Sequence, residues 1–398
     1  MRSATALIIG GGVIGLSTAY HLARKGFGRI LLVEKDHIGA GSSSRAGGII
    51  TSLLWTEAGV LARKISLDLY RELSAELPGY RFQDVGCLNL FDPRSWLERT
   101  TLLPLYDRLA VPYEVLTAEE LRYRWPALTP DDAIIGLHDP LGGYSEPSEY
   151  IPALAQRIAA LGVELREGVT VTGLVEQQGR ISGITTQDGV VEADMVVCTT
   201  HAWTRNVLAG LGISLPVKAF VHQRYVTTPL PAAVVLPAIN ANPQGGYIRP
   251  AAGNRLLAGG ETADREEYRV ATLDFQMTSL TAPDRVKADL AANLTPLVPA
   301  LGQTSWETEQ VGLICFSVDG EPILGPVAGH PGLLLGCAFH SGGFAYNPVA
   351  GLLLAELITT GQTSIDISAF SPNRFTADVT ADYLATTVTQ AHAVRRRH

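Results

Sequence analysis

The feature that most constrains this chain is a glycine run near its N-terminus. Ala6-Leu7-Ile8-Ile9 is a short apolar stretch fit for a parallel strand buried on both faces. It ends in Gly10-Gly11-Gly12-Val13-Ile14-Gly15, a G-x-G-x-x-G pattern. Ile14, Leu16, Ala19, Leu22 and Ala23 then recur at helical spacing until Gly26 and Gly28 stop the helix. Arg29 to Val33 supplies a second strand, closed by Glu34 and Lys35. Each glycine has a separate physical role. Gly10 makes the tight turn, Gly12 clears a side chain from the path of a pyrophosphate, and Gly15 lets helix and strand pack closely. The helix start at Val13 and Ile14 offers amides and a positive dipole end to phosphate. Glu34, 24 positions after Gly10, can accept ribose hydroxyls and would repel a 2′-phosphate. The order strand, turn, helix, strand, acid predicts a dinucleotide site.

Composition narrows the partners. Apolar residues make up 46% and charged residues 18% of 398, so most of the chain is expected to fold, as two to four units. A net charge of −8 leaves no footprint for nucleic acid, and Arg395-Arg396-Arg397 reads as a frayed terminus. Four scattered cysteines, without a C-x-x-C pair, suggest reduced buried thiols in a cytoplasmic protein. No stretch is long and apolar enough for a membrane span.

The loop beyond the acidic strand decides which dinucleotide. Gly41-Ser42-Ser43-Ser44-Arg45-Ala46-Gly47-Gly48-Ile49 resembles the G-S-S-x-R-x-x-G-G loop of the D-amino-acid oxidase and sarcosine oxidase superfamily of FAD-dependent oxidoreductases. Later segments continue the resemblance in order: Gly142-Gly143-Tyr144-Ser145-Glu146-Pro147, Ala193-Asp194-Met195-Val196-Val197 with Ala202-Trp203, Asp319-Gly320-Glu321-Pro322, and Ser341-Gly342-Gly343-Phe344 with Pro348. The resemblance implies an α/β fold in which a Rossmann-like (GR2-type) FAD-binding domain is interleaved with an α+β substrate domain on a mostly antiparallel sheet. The implied division gives residues 1–80, 145–215 and 310–370 to the FAD domain, 81–144 and 216–309 to the substrate domain, and 371–398 to a tail. It also implies cofactor contacts at Val171, Thr200, His201 and Trp203. Asn347 to Leu357 reads as a helix with Pro348 in its first turn, whose N-terminus beside Ser341 to Phe344 should face the flavin pyrimidine edge.

Departures from the family pattern shape the functional expectation. Three places where a substrate-carboxylate base could stand hold Ile50-Thr51, the arginine-free strand Gly312-Leu313-Ile314-Cys315, and Ala345. Arg249, in Tyr247-Ile248-Arg249-Pro250, is the substitute anchor, with Arg224 behind it. The strand Leu256-Leu257-Ala258 lacks the lysine that the resemblance to monomeric sarcosine oxidases implies there for oxygen activation, so the acceptor stays open among oxygen, a quinone and a protein carrier. No histidine lies within Gly41 to Gly48 and Cys315 is off the tethering position, which implies non-covalent FAD. Tyr247, Arg249, His222 and His340 are the candidate pocket residues. The expected reaction is FAD-dependent oxidation of a C–N bond in a small amine or amino acid, secondary or N-substituted amines favoured, by hydride transfer to flavin N5. The alternatives are a 2-hydroxy-acid dehydrogenase on the same fold and a flavoprotein subunit of a larger dehydrogenase complex. Oligomeric state is not legible.

Overall fold

A computed structural model describes residues 3–260 and 267–388; the basic run Arg395 to Arg397 lies outside the described residues. The first sheet grows from the glycine turn. β1 (Ala4–Ile9) lies between β2 (Ile30–Val33) and the strand Gly189–Cys198, parallel to both. Glu164–Arg166 continues the sheet beyond β2 and Leu333–Cys337 continues it beyond Gly189–Cys198, again parallel, while Ile323–Pro326 closes one edge antiparallel. Ala6, Leu7, Ile8, Leu31 and Leu32 are wholly buried. This burial on both faces is why β1 and β2 read as unbroken apolar runs instead of alternating ones. α1 (Val13–Arg24) makes the crossover from β1 to β2.

The second sheet is mostly antiparallel. Val217–Thr227 pairs with Trp306–Ser317 on one side and Arg255–Gly260 on the other, and the sheet runs on through Gly246–Ala251, Ala238–Ala241, Cys87–Phe91, Ile135–Asp139 and Glu114–Thr117. Ala238–Ala241 with Cys87–Phe91 is a parallel pair, joining the sheet's two chain segments. Arg285–Leu294 forms a helix that packs on this sheet. Trp306–Ser317 is paired with this sheet from end to end, so a division at residue 310 cuts through a strand.

Two helices bring the far end of the chain back to the glycine turn. α2 (Glu57–Glu76) starts at Thr56, whose hydroxyl accepts the Gly59 amide, a standard N-cap. It packs against the helix Gly343–Thr360, which also crosses α1 so closely that a Cβ on Gly351 would stand 2.4 Å from the backbone carbon of Ser17. The Gly343–Thr360 helix begins four residues before the start expected at Asn347, so Pro348 lies inside it instead of in its first turn. An internal proline leaves the carbonyl four residues earlier without its amide. Here that carbonyl, on Phe344, accepts from Tyr70 Oη at 2.6 Å and from Asn347 Nδ2. The break is therefore filled from α2, and the helix can start at the glycines. Among the described residues no helix is long and apolar enough to cross a membrane.

Candidate active site

A cleft of about 1850 Å³, its open mouth included, runs from the glycine turn to the start of the Gly343–Thr360 helix. At its first end the turn is built as the sequence requires. Gly10 has φ +107°, a conformation favouring glycine, and a Cβ on Gly15 would lie 2.0 Å from the Gly10 carbonyl. Gly15 therefore serves helix–strand packing beneath the cleft, while Gly10, Gly12, Val13 and Ile14 line it. Ser43 Oγ accepts the Val13 amide at 3.0 Å, which brings the second loop onto the α1 N-terminus. Glu34 lines the cleft at the end of β2 and accepts the Gly11 and Asp36 amides at 2.7 and 3.0 Å. Lys35 lies 4.4 Å over the Trp203 ring and donates to the Leu273 and Phe275 carbonyls. Trp203 lines the cleft, and its Nε1 is buried without an acceptor among the described residues. A side-chain-free turn, amides at a helix start, an acid at the strand end and an orphaned donor together fit an FAD, whose phosphates would lie on Gly12 and α1 and whose ribose would meet Glu34.

The second loop holds the middle of the cleft. Ser42, Ser43, Arg45, Ala46, Gly47, Gly48 and Ile49 all line it, as do Val171, Thr200 and His201. Ser44 instead turns away and its carbonyl accepts Arg224 Nη2 at 3.0 Å. Arg45 Nη1 bonds the Ala40 and Gly41 carbonyls of its own loop. His201 adopts φ +48°, and its Nε2 meets the Leu313 carbonyl at 2.9 Å; burial lowers its pKa and favours the neutral imidazole. Cys315 Sγ is 3.6 Å from that nitrogen, and burial pushes the thiol pKa up, away from a nucleophilic thiolate.

Toward the Gly343–Thr360 helix, Ser341, Gly342, Gly343 and Phe344 line the cleft, as do Tyr247 and His222. Register explains the placement of Tyr247. It sits directly opposite Gly259 on the neighbouring strand, so its ring lies over that glycine, and Gly47 approaches the same ring from the second loop. A Cβ would stand 2.2 Å from Tyr247 Cζ at Gly259 and 2.7 Å from Cε2 at Gly47. His222 Nε2 is 3.3 Å from Tyr247 Oη, with the two rings nearly parallel. His340, at φ +45°, stacks on Phe316 and meets the edge of Tyr346.

Arg249 is placed elsewhere. It is wholly buried outside the lining, donating to both oxygens of Glu146 at 2.6 and 3.1 Å and to the Gly47 carbonyl at 2.6 Å. Its charge is neutralised and its fork is full, so the expected carboxylate anchor is a clamp on the second loop. Thr51, named in the sequence only as a place without a base, also lines the cleft, as do Arg63 and Asn240, which the sequence did not mark. Thr51 and Ser52 are held there by the buried carboxylate of Asp139, which accepts from both hydroxyls at 2.9 Å. Among the described lining residues the carboxylates are Glu34 and Asp36, both at the α1 end.

Comparison with known proteins agrees with this geometry. Residues 5–357 match the family model described as DAO, FAD dependent oxidoreductase. The chain is 29% identical over 374 residues to 4-methylaminobutanoate oxidase (formaldehyde-forming) of Paenarthrobacter nicotinovorans, covering 93% of this chain and 45% of that protein. It therefore spans about half the length of that relative. It is 28% identical to glycine oxidase of Pseudomonas putida, covering 92% of this chain and 97% of that one. Among solved structures, L-proline dehydrogenase from P. horikoshii superposes with a TM-score of 0.86 at 26% identity, covering 94% of this chain and 98% of the other.

Proposed function

The chain belongs to the DAO family of FAD-dependent oxidoreductases, and from that premise we propose that it oxidises the C–N bond of a small amine or amino acid, secondary or N-substituted amines favoured, to an imine. The observation that carries this reading is that Tyr247, His222, Thr51 and Asn240 line the same cleft as the Gly342–Phe344 segment, with no carboxylate among them. Bound FAD supplies a hydride acceptor at flavin N5 and holds negative charge on its pyrimidine edge when reduced. The protein's part is to orient and to exclude water. Tyr247, fixed between Gly47 and Gly259, walls the pocket, and His222 braces the phenol. A neutral amine needs no dedicated base before hydride loss, in keeping with lining carboxylates that stand only at the α1 end. The start of the Gly343–Thr360 helix offers its positive dipole end and glycine amides, which would stabilise negative charge on the pyrimidine edge of a flavin held beside it.

Non-covalent FAD is part of the proposal, supported by the buried thiol of Cys315 and the histidine-free second loop. So are the interleaved two-domain division, with the Trp306–Ser317 strand kept whole in the second sheet, and a reducing, cytoplasmic setting, which four free, buried cysteines favour. The acceptor is oxygen, a quinone or a protein carrier. The test is an anaerobic screen of the holoenzyme, read at the flavin bands: N-methyl amines and amino acids should bleach them. Reduction by 2-hydroxy acids alone, with no amine released, would overturn the proposal in favour of a hydroxy-acid dehydrogenase. Hydrogen peroxide formation in air identifies oxygen as acceptor; turnover with dyes alone identifies a carrier.

A further inference from the structure

Of the cations around the cleft, Arg45 and Arg249 are held by carbonyls or a carboxylate, and Arg224 by the Ser44 carbonyl at Nη2, with Nε buried and lacking an acceptor among the described residues but outside the lining. Lys218, buried in the second sheet, is paired with Glu267 at 2.7 Å. Arg63 differs. It projects from the second turn of α2, is 1% exposed, and lines the far end of the cleft. Its guanidinium lies 4.2 Å over the Tyr346 ring, yet Nε and Nη2 are buried with no hydrogen-bond acceptor among the described residues. Nη2 points at Gly342: a Cβ there would stand 2.2 Å from it and 3.1 Å from His340 Cε1. Glu321 feels the Arg63 charge without a hydrogen bond to it, and its own carboxyl is biased by burial toward the neutral form.

A buried guanidinium left with open donors is costly, and only an anion compensates it well. Nε and Nη2 lie on one edge of the group, the fork that receives a carboxylate in two parallel hydrogen bonds. We propose that this edge of Arg63 is the anion-binding site of the substrate pocket and holds the carboxylate of an amino-acid substrate. The inference rests on the amine-oxidising reading above. It places the anchor on α2, at none of the three positions where a base was sought and in place of Arg249. Helix α2 thus sets specificity: its N-cap fixes the helix start, Tyr70 ties it to Phe344, and Arg63, between them, faces the pocket.

The experiment is a titration of the holoenzyme with acetate and propionate against acetamide and propionamide, followed through the flavin absorption bands. The carboxylates should perturb the bands and bind at least ten-fold tighter than the amides. Arg63→Met should weaken the carboxylates by about 100-fold and leave the amides unchanged, with Arg63→Lys restoring part of the difference. Should the Met variant fail to retain FAD, Arg63→Lys alone must still weaken carboxylates and spare amides. Equal binding of acids and amides by the wild-type protein would overturn the inference. So would carboxylate binding that survives in Arg63→Met while the flavin potential shifts, since Arg63 would then serve the cofactor. Rapid anaerobic reduction by an N-methylalkylamine, matching that by an N-methylamino acid, would sink the anion site and leave the amine reading standing. If no amine reduces the flavin, the amine reading fails while the titration still decides this one.

Discussion

Replacing Gly259 by alanine tests whether the pocket wall is set by strand register. The new Cβ would stand 2.2 Å from both Cζ and Oη of Tyr247, about 1.2 Å short of ordinary contact at 3.4 Å. The ring cannot simply back away, because Gly47 of the second loop already approaches it from elsewhere. Gly259 has an ordinary backbone conformation within a strand, so alanine adds bulk without strain at φ. Overpacking of this kind costs roughly 1–3 kcal/mol. A displacement of about 1 Å at a reacting site lowers the rate by about 10²-fold. Gly259→Ala should therefore slow anaerobic flavin reduction about 100-fold, while the protein still retains FAD and melts only a few degrees lower. The control is a double-mutant cycle with Tyr247→Ala: once the ring is gone, adding Gly259→Ala should change the rate less than two-fold. A Gly259→Ala enzyme reduced at the wild-type rate would refute the role given to Tyr247. Additive losses in the cycle would show that Gly259 acts through something other than that ring.

Other consequences follow from the same packing. Tyr70→Phe leaves the Phe344 carbonyl with Asn347 as its remaining partner beside Pro348, and should cost about 1–2 kcal/mol, visible as a melting-temperature drop of a few degrees. Glu146→Gln strips the buried Arg249 of its counter-charge and should cost about 3–5 kcal/mol in denaturant titrations, with weaker FAD retention because Arg249 also holds Gly47. Burial lowers the His21 pKa to about 4 from its unfolded value near 6.5. Between those values the unfolded chain binds more protons, so stability falls as pH drops through that window, by up to about 3 kcal/mol. His21→Gln should flatten that acid limb in unfolding curves taken from pH 7 to 4.

The cofactor end of the cleft was legible in the sequence because its geometry is local. Gly10, Gly12, Gly15 and Glu34 belong to one βαβ unit whose strands, turn and helix announce themselves by period and by glycine, and the structure places them accordingly. The substrate end depends on contacts far apart in the chain. Arg249 read as a free anchor because Glu146, 103 residues earlier, carries no mark of its partner. Arg63 was passed over because one arginine in an amphipathic helix looks like any solvated charge until burial is known. The start of the last long helix was displaced for a similar reason. Pro348 is a good first-turn residue by local rules, and only Tyr70, 274 residues upstream of Phe344, makes an internal proline tolerable there. Tyr247 was named as a pocket residue, but its partner Gly259 could not be, since a one-residue slip in register would turn the ring to the opposite face.

The central claim is that this cleft holds FAD and removes a hydride from carbon next to nitrogen. Anaerobic mixing of the holoenzyme with an N-methylamino acid deuterated at the carbons attached to nitrogen, followed at the flavin bands, tests it most directly. The expected result is full bleaching, a slower rate for the deuterated substrate than for the protonated one, and release of an aldehyde or keto acid with the amine. Bands that stay unchanged with every amine offered, while a 2-hydroxy acid bleaches them, would contradict it.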